Sequence, residues 1–256
     1  MHRATVPSVD LNADLGETID GVPTADDEAM FAVISSASIA TGGHAGDASS
    51  MRLAVERAVR HGVAVGAHPS YPDRAGFGRA AMHLTPPELT AAVSAQLGAL
   101  RAAGADIRYV KPHGALYHAA GDDPVLARAL VRAVAALSDE VGHAVPVLAL
   151  GDALAEASAS HGLPFVREAF LDRGYTSEGQ LVPRGMPGDL LHDPITVAAR
   201  AVRLATEGVV EAVDGALIVA NAASLCLHGH TPDSGAMARA VRAALEDADV
   251  TVRPPW

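Results

Sequence analysis

The feature that most constrains this chain is an alternation. Seven times, a short apolar run gives way to an alanine-rich amphipathic stretch with well-marked ends. The runs are VDLNADLGE, the segment around Ser38 to Ala40, VAVGA, IRYV, VPVLALGD, PFVREAF and ALIVANAASLCLHGHTPDS. Strands that alternate with helices imply parallel strands joined by crossovers, hence a barrel or a doubly wound open sheet. The polar residues choose between them. An open sheet gathers its chemistry at one switch point, whereas here almost every run ends in charged or imidazole groups, as expected when all strands converge on one barrel mouth. The expectation is a (β/α) barrel of about seven parallel strands with its site at their C-terminal ends. At 256 residues, with no Pro/Ser-rich linker, the chain is expected to form one domain over 1–256.

Helix boundaries follow from local chemistry. Thr24 with Asp27 three residues on reads as a capping box. Asp47 reads as the N-cap of a helix that Gly62 stops. Thr85, Pro86 and Glu88 open a helix as cap, first-turn proline and capping-box partner, and Gly104 ends it. Asp123-Pro124 and Asp193-Pro194 start two more, and a last helix begins at about Ser234.

A formal charge of −11 argues against nucleic acid or an anionic membrane as a partner, since both would repel most of this surface. The one cysteine, Cys226, excludes an internal disulfide framework, and its apolar neighbours Leu225 and Leu227 suit an inert thiol. No apolar span approaches the roughly 18 residues that cross a bilayer, and MHRATVPSVD has no apolar signal core, so a cytoplasmic protein is expected.

Lys111 is the single lysine among 19 basic residues; the other 18 are arginines. A chain that uses arginine wherever positive charge suffices places an amine at the end of an apolar strand, beside Pro112 and His113. An ammonium is a compact donor of tunable pKa, which a guanidinium is not. The twelve histidines sort similarly. His61, His143 and His161 each adjoin a glycine at a helix end, where an imidazole serves the dipole. His2, His83 and His192 have no chemical context, and His118 follows a helical turn. His44, His68, His113, His228 and His230 stand at strand ends beside Gly or Pro.

There is no G-x-x-x-x-G-K-[ST] loop, no G-x-G-x-x-G after the first strand and no G-x-S-x-G elbow. What remains is a set of Asp, Glu and His able to move protons or hold a metal, with Lys111, Arg79, Arg173 and Arg184 able to hold an anion. That combination suits hydrolysis of a small carboxylate-bearing substrate through a general base and water.

Together, DLNADLGE, GGHAGD, GAHPSYPDRAGFGR, VKPHGALYH, EAFLDRGYTSEGQLVPRG and LCLHGHTP resemble, in order and spacing, the LamB/YcsF family, the A subunit of bacterial ATP-dependent 5-oxoprolinase. The resemblance covers nearly the whole chain. It implies a barrel of the glycoside hydrolase/deacetylase type and conversion of 5-oxoproline, ATP and water to L-glutamate, ADP and phosphate, with subunits B and C as partners. ATP is then a co-substrate, met either by this chain or through those subunits. Asp14, His44, His68, Lys111 and His113 become the expected catalytic groups. Asn12, Glu17, Asp47, Arg79, Glu168, Arg173, Arg184 and His228 become expected substrate contacts. The chain departs from the pattern where Ser38, Thr41 and Gly43 replace Asn, Cys and Phe, and where His230 replaces an aspartate. Two alternatives accompany this expectation. One is a metal-dependent deacetylase-like hydrolase, with Asp14, His44, His68 and His113 as candidate ligands of a divalent ion. The other is a non-catalytic subunit that binds a small molecule.

Overall fold

The computed structural model describes residues 7–228 and 234–256. In chain order its elements are β1 (Ser8–Leu15), a hairpin of β2 (Thr18–Ile19) and β3 (Val22–Pro23), α1 (Asp27–Phe31), β4 (Ser36–Ala40), α2 (Ala48–His61), β5 (Ala64–His68) and α3 (Pro86–Ala102). Then follow β6 (Ile107–Val110), α4 (Gly114–Asp122), α5 (Pro124–Val141), β7 (Val147–Ala149), α6 (Asp152–Ser160), β8 (Phe165–Phe170), α7 (Pro194–Glu207), a hairpin of β9 (Val209–Glu211) and β10 (Leu217–Val219), β11 (Ser224–Cys226), α8 (Ser234–Asp247) and β12 (Thr251–Val252).

The strands form one sheet in the order β11-β8-β7-β6-β5-β4-β1-β12, and β11 also pairs with β1. Seven strands, β1, β4 to β8 and β11, thus close into a parallel barrel flanked by helices, as the alternation implies. Register is explicit at the closure, where Asp10, Leu11 and Asn12 face Ser224, Leu225 and Cys226. β12 adds to β1 beside this pairing, with Ser8 and Val9 opposite Thr251 and Val252. No helix among the described residues is long and apolar enough to cross a membrane.

By packing, the chain divides into two compact units. One comprises Asp14–Asp27, Ser36–Val166 and Trp256. Its core is built from β4, β5, β6 and β7 with the inward faces of their helices: Ile39, Ala58, Leu89, Val93, Leu97, Leu100, Leu130 and Val134 are all buried. Gly66 on β5 leaves the space that the Tyr109 ring of β6 fills, since a Cβ there would overlap that ring. The Tyr109 hydroxyl reaches Ser38 Oγ at 3.0 Å, and Trp256 stacks on the ring with centroids 4.2 Å apart. The other unit gathers Glu28–Ser35 and Arg167–Pro255 around β1 as far as Ala13. There α7 packs on α8, with Val197, Ala201, Leu204, Met237, Val241 and Leu245 inside.

The helix ends obey the local signals in most places. Asp47 Oδ1 accepts from Ser49 N and Ser50 N at 2.7 and 2.8 Å, and Gly62 closes α2 with φ 67°. Glu88 reaches back to Thr85 N at 2.8 Å, while Asp123 and Asp193 cap α5 and α7. Each such cap is worth about 1 kcal/mol.

Three expectations are corrected. Thr24 and Asp27 form no capping box: Asp27 is the first residue of α1, and its carboxylate accepts from Gly16 N at 2.9 Å, while Thr24 Oγ1 donates to Glu17 O at 3.0 Å. The pair ties the end of β1 to the segment after the β2–β3 hairpin, a long-range demand that outranks the local motif. The seventh apolar run is two elements, since Leu217–Val219 turns back antiparallel on Val209–Glu211 and only Ser224–Cys226 enters the barrel. Asn221, at φ 43°, lies between them. Finally, α4 is an unforeseen helix ahead of α5; His113 is its N-cap residue without a side-chain cap bond, so it carries no local start signal.

Candidate active site

The C-terminal ends of the strands carry the chemistry. In the unit containing β4 to β7, six buried side chains meet: Asp14 near the end of β1, Glu17 just past it, His44 after β4, His68 as the last residue of β5, Lys111 directly after β6, and His113 at the head of α4. Lys111 is 1% exposed, so its ammonium needs a partner. Nζ lies 2.9 Å from Asp14 Oδ1, and Asp14 Oδ2 lies 3.3 Å from His68 Nε2. Asp14 thus bridges the amine and the imidazole.

The three imidazoles pack on one another. His44 and His113 are stacked with centroids 3.7 Å apart and planes 5° from parallel, and His68 stands edge-on to both. His68 Nδ1 meets the Lys111 carbonyl at 2.7 Å, and His113 Nε2 meets the Phe77 carbonyl at 3.0 Å. Because a carbonyl only accepts, both of those nitrogens carry a proton. The inward nitrogens, His68 Nε2 and His113 Nδ1, face each other at 3.0 Å. His44 Nε2 lies 2.9 Å from Glu17 Oε1, which is also 3.8 Å from His113 Nδ1.

Electrostatics follow from burial. Desolvation lowers the His113 pKa to about 2, aided by His68 and His44, and outweighs the opposing pull of Glu17 and Asp14. Burial likewise lowers that of His44 against its hydrogen bond to Glu17. At neutral pH these two rings are uncharged.

The loop after β5 is pressed onto the cluster. Phe77 has φ 53° and Gly78 φ 65°; a Cβ on Gly78 would lie 2.8 Å from His44 Cβ and 2.9 Å from His113 Cδ2. Only glycine accepts both the left-handed backbone and the close approach. Arg79 is exposed, with its guanidinium 5.0 Å from the Phe77 ring centroid.

The unit built on Arg167–Pro255 holds a second set of buried polar groups. Asn12 Nδ2 donates to Glu168 Oε1 at 3.0 Å and to Ser224 Oγ at 2.8 Å. Ser224 and Ser35 both donate to Asp10, the latter at 2.6 Å. His228 Nδ1 sits 2.9 Å from Asp172 Oδ1, and its backbone N–H donates to Asp172 Oδ2 at 3.2 Å. Burial pushes the Asp172 carboxyl up, but the charge and hydrogen bonds of His228 outweigh it and hold the carboxyl below its usual range.

Expectation and structure differ in several places. Asp47 is exposed and its carboxylate serves the α2 cap; Arg184 is exposed. Arg173 is buried, but Nη2 donates to Val182 O at 2.7 Å and Nε to Asp189 O at 3.0 Å, so it ties a loop together. Asp172 escaped notice although it lies inside EAFLDRG, because nothing in the sequence pairs it with His228, 56 residues on. The two unusual residues Thr41 and Gly43 are accommodated by Gln96. Its Oε1 accepts from Thr41 Oγ1 at 2.9 Å and Ser70 N at 3.0 Å, in space that any side chain at 43 would invade. His230 lies outside the described residues.

A model of the LamB/YcsF family matches residues 9–256. The chain belongs to the LamB/YcsF family. It is 50% identical over 250 residues to the 5-oxoprolinase A subunit of Streptomyces griseus, covering 96% of this chain and 98% of that one. The corresponding protein of Chloroflexus aggregans is 47% identical over 253 residues, covering 97% and 99%. Among solved structures, the lactam utilization protein of Thermus thermophilus superposes with a TM-score of 0.89 at 44% identity, over 96% of this chain and 99% of that chain. The T48 deacetylase, 14% identical with a TM-score of 0.51 over 97% and 88%, shares the fold alone.

Proposed function

We propose that this chain opens the lactam ring of 5-oxoproline to L-glutamate in the cytoplasm, coupled to ATP hydrolysis and acting with partner subunits B and C. The observation that carries it is the buried Lys111–Asp14–His68–His113 chain of contacts at the strand ends. The names of the relatives support the substrate class: a 5-oxoprolinase and a lactam utilization protein.

A five-membered lactam is a resonance-stabilised amide, so water alone attacks it slowly. Transfer of the γ-phosphoryl group of ATP to the ring carbonyl oxygen, with the help of the partners, makes C5 electrophilic. Water then adds to C5, losing its proton to Asp14, and the C5–N bond breaks as the nitrogen takes a proton. The resulting acyl phosphate is hydrolysed by a second water to glutamate and phosphate. A general base in such a step supplies roughly 10²–10⁴-fold. Lys111 stabilises the negative charge that develops on oxygen, and does so most strongly because its site is dry. Arg79, at the loop after β5, is the group offered to the substrate's carboxylate.

The test is ATP-dependent glutamate release from 5-oxoproline by this chain with and without co-expressed partners. Glutamate should appear only in the full mixture. The isolated chain, which lacks a P-loop, should hydrolyse ATP weakly or not at all. Vigorous ATP hydrolysis by the chain alone would overturn the division of labour.

A further inference from the structure

We infer that Glu17, His44, His68 and His113 form a binding site for one divalent first-row transition ion, Zn²⁺ foremost. The inference deepens the proposed function and rests on it only for the use to which the ion is put. One ligand atom from each of the four residues lies within 4.8 Å of all the others, and all four side chains are buried.

Proton bookkeeping points to a cation. His68 and His113 each commit one nitrogen, as a donor, to a backbone carbonyl, of Lys111 and Phe77 respectively. Such carbonyl bonds are the outer support that fixes a metal-bound imidazole in the correct tautomer. The two remaining nitrogens then turn lone pairs toward each other across 3.0 Å, an arrangement that is repulsive unless something positive lies between or beside them. Glu17 Oε1 lies 2.9 Å from His44 Nε2 and 3.8 Å from His113 Nδ1, while Asp14 faces Lys111 at 2.9 Å.

Three imidazoles and a carboxylate oxygen suit Zn²⁺ and its neighbours, and are poor ligands for Mg²⁺ or Ca²⁺. Bonds of about 2.0–2.2 Å at tetrahedral angles would set the ligand atoms roughly 3.3–3.6 Å apart, so the closest pairs need open by only about half an ångström. The carboxylate in this group is Glu17, which the sequence presented as a substrate contact, in place of Asp14.

The test uses the full chain, stripped with a chelator and then titrated with Zn²⁺, with bound metal counted by atomic emission. About one Zn²⁺ per chain is expected. His113→Ala, His44→Gln and Glu17→Gln should each weaken uptake by more than the roughly 10–100-fold that losing an outer-shell partner costs. His61→Ala should match the parent. Circular dichroism identifies any variant that fails to fold, and the other two then decide. Absence of Zn²⁺ uptake by the parent, or equal uptake by all three folded variants, overturns the site. Glutamate release measured on the same preparations keeps the two inferences apart. Absence of uptake beside normal turnover removes the ion site and leaves lactam opening standing, whereas an ion-loaded chain that is inert with its partners does the reverse.

Discussion

Replacing Lys111 by methionine keeps the length and apolar character of the stem and deletes only the ammonium. The partner left behind is Asp14, whose side chain is 6% exposed and had Nζ at 2.9 Å. Removing one member of a buried pair costs about 3–5 kcal/mol, because the remaining charge is neither solvated nor compensated. For a chain of this size each kcal/mol lowers Tm by about 2–4 °C, so Lys111→Met should melt roughly 6–20 °C below the parent. The double variant Lys111→Met/Asp14→Leu has no stranded charge and should recover most of that loss while remaining inactive. Lys111→Arg separates charge from shape. Its charge can still pair with Asp14, but a wider planar head between Val110 and Pro112 displaces the donors and His113, and a shift of about 1 Å can cost on the order of a hundredfold in rate. The assays are calorimetric melting and steady-state glutamate release with partners present. A Lys111→Met protein that melts within about 2 °C of the parent would show that no buried pair exists. Near-normal turnover in Lys111→Arg would show that the site asks only for charge.

Alanine at His68 or His113 should lower turnover by roughly 10²–10⁴ in the same assay while His61→Ala leaves it near the parent value; full turnover in either variant would make that histidine structural. Acid should destabilise the chelator-stripped protein through His113 and His44. Both have folded pKa values below the ordinary 6.5, that of His113 at about 2, so the unfolded chain binds more protons below pH 6.5; stability is complete above that pH and falls as pH drops toward the folded values. Urea unfolding at pH 7 and pH 5 should differ by about 2 kcal/mol through His113 alone, and His113→Phe should shrink the difference; identical midpoints would contradict neutral burial. Gly78→Ala puts a side chain where φ is 65° and His44 and His113 stand within 3 Å, so it should cost about 1–3 kcal/mol and disturb turnover; a protein indistinguishable from the parent by melting and kinetics would show the loop to be slack.

The barrel was legible in the sequence because its cause is periodic and local. Apolar runs of strand length, separated by helices whose ends Asp47, Thr85, Asp123 and Asp193 mark, leave few topologies, and polar groups at the run ends select among them. Lys111 and the strand-end histidines were legible for the related reason that charged and imidazole groups at the close of buried strands have no packing explanation. What the sequence could not show is which groups share a proton, a charge or an ion. Glu17 stands against His44 and His113 while Asp14 bridges Lys111 and His68, Asp172 joins His228 across 56 residues, and Arg173 turns to the backbone of its own loop. Local signals failed where distant partners made the stronger demand. Asp27 forsook its capping box for Gly16 N, and α4 began without a cap because His113 was engaged by His68 and Phe77. A helix cap is worth about 1 kcal/mol, whereas an unsatisfied buried charge or donor costs several times that, so wherever the two conflict the tertiary structure decides.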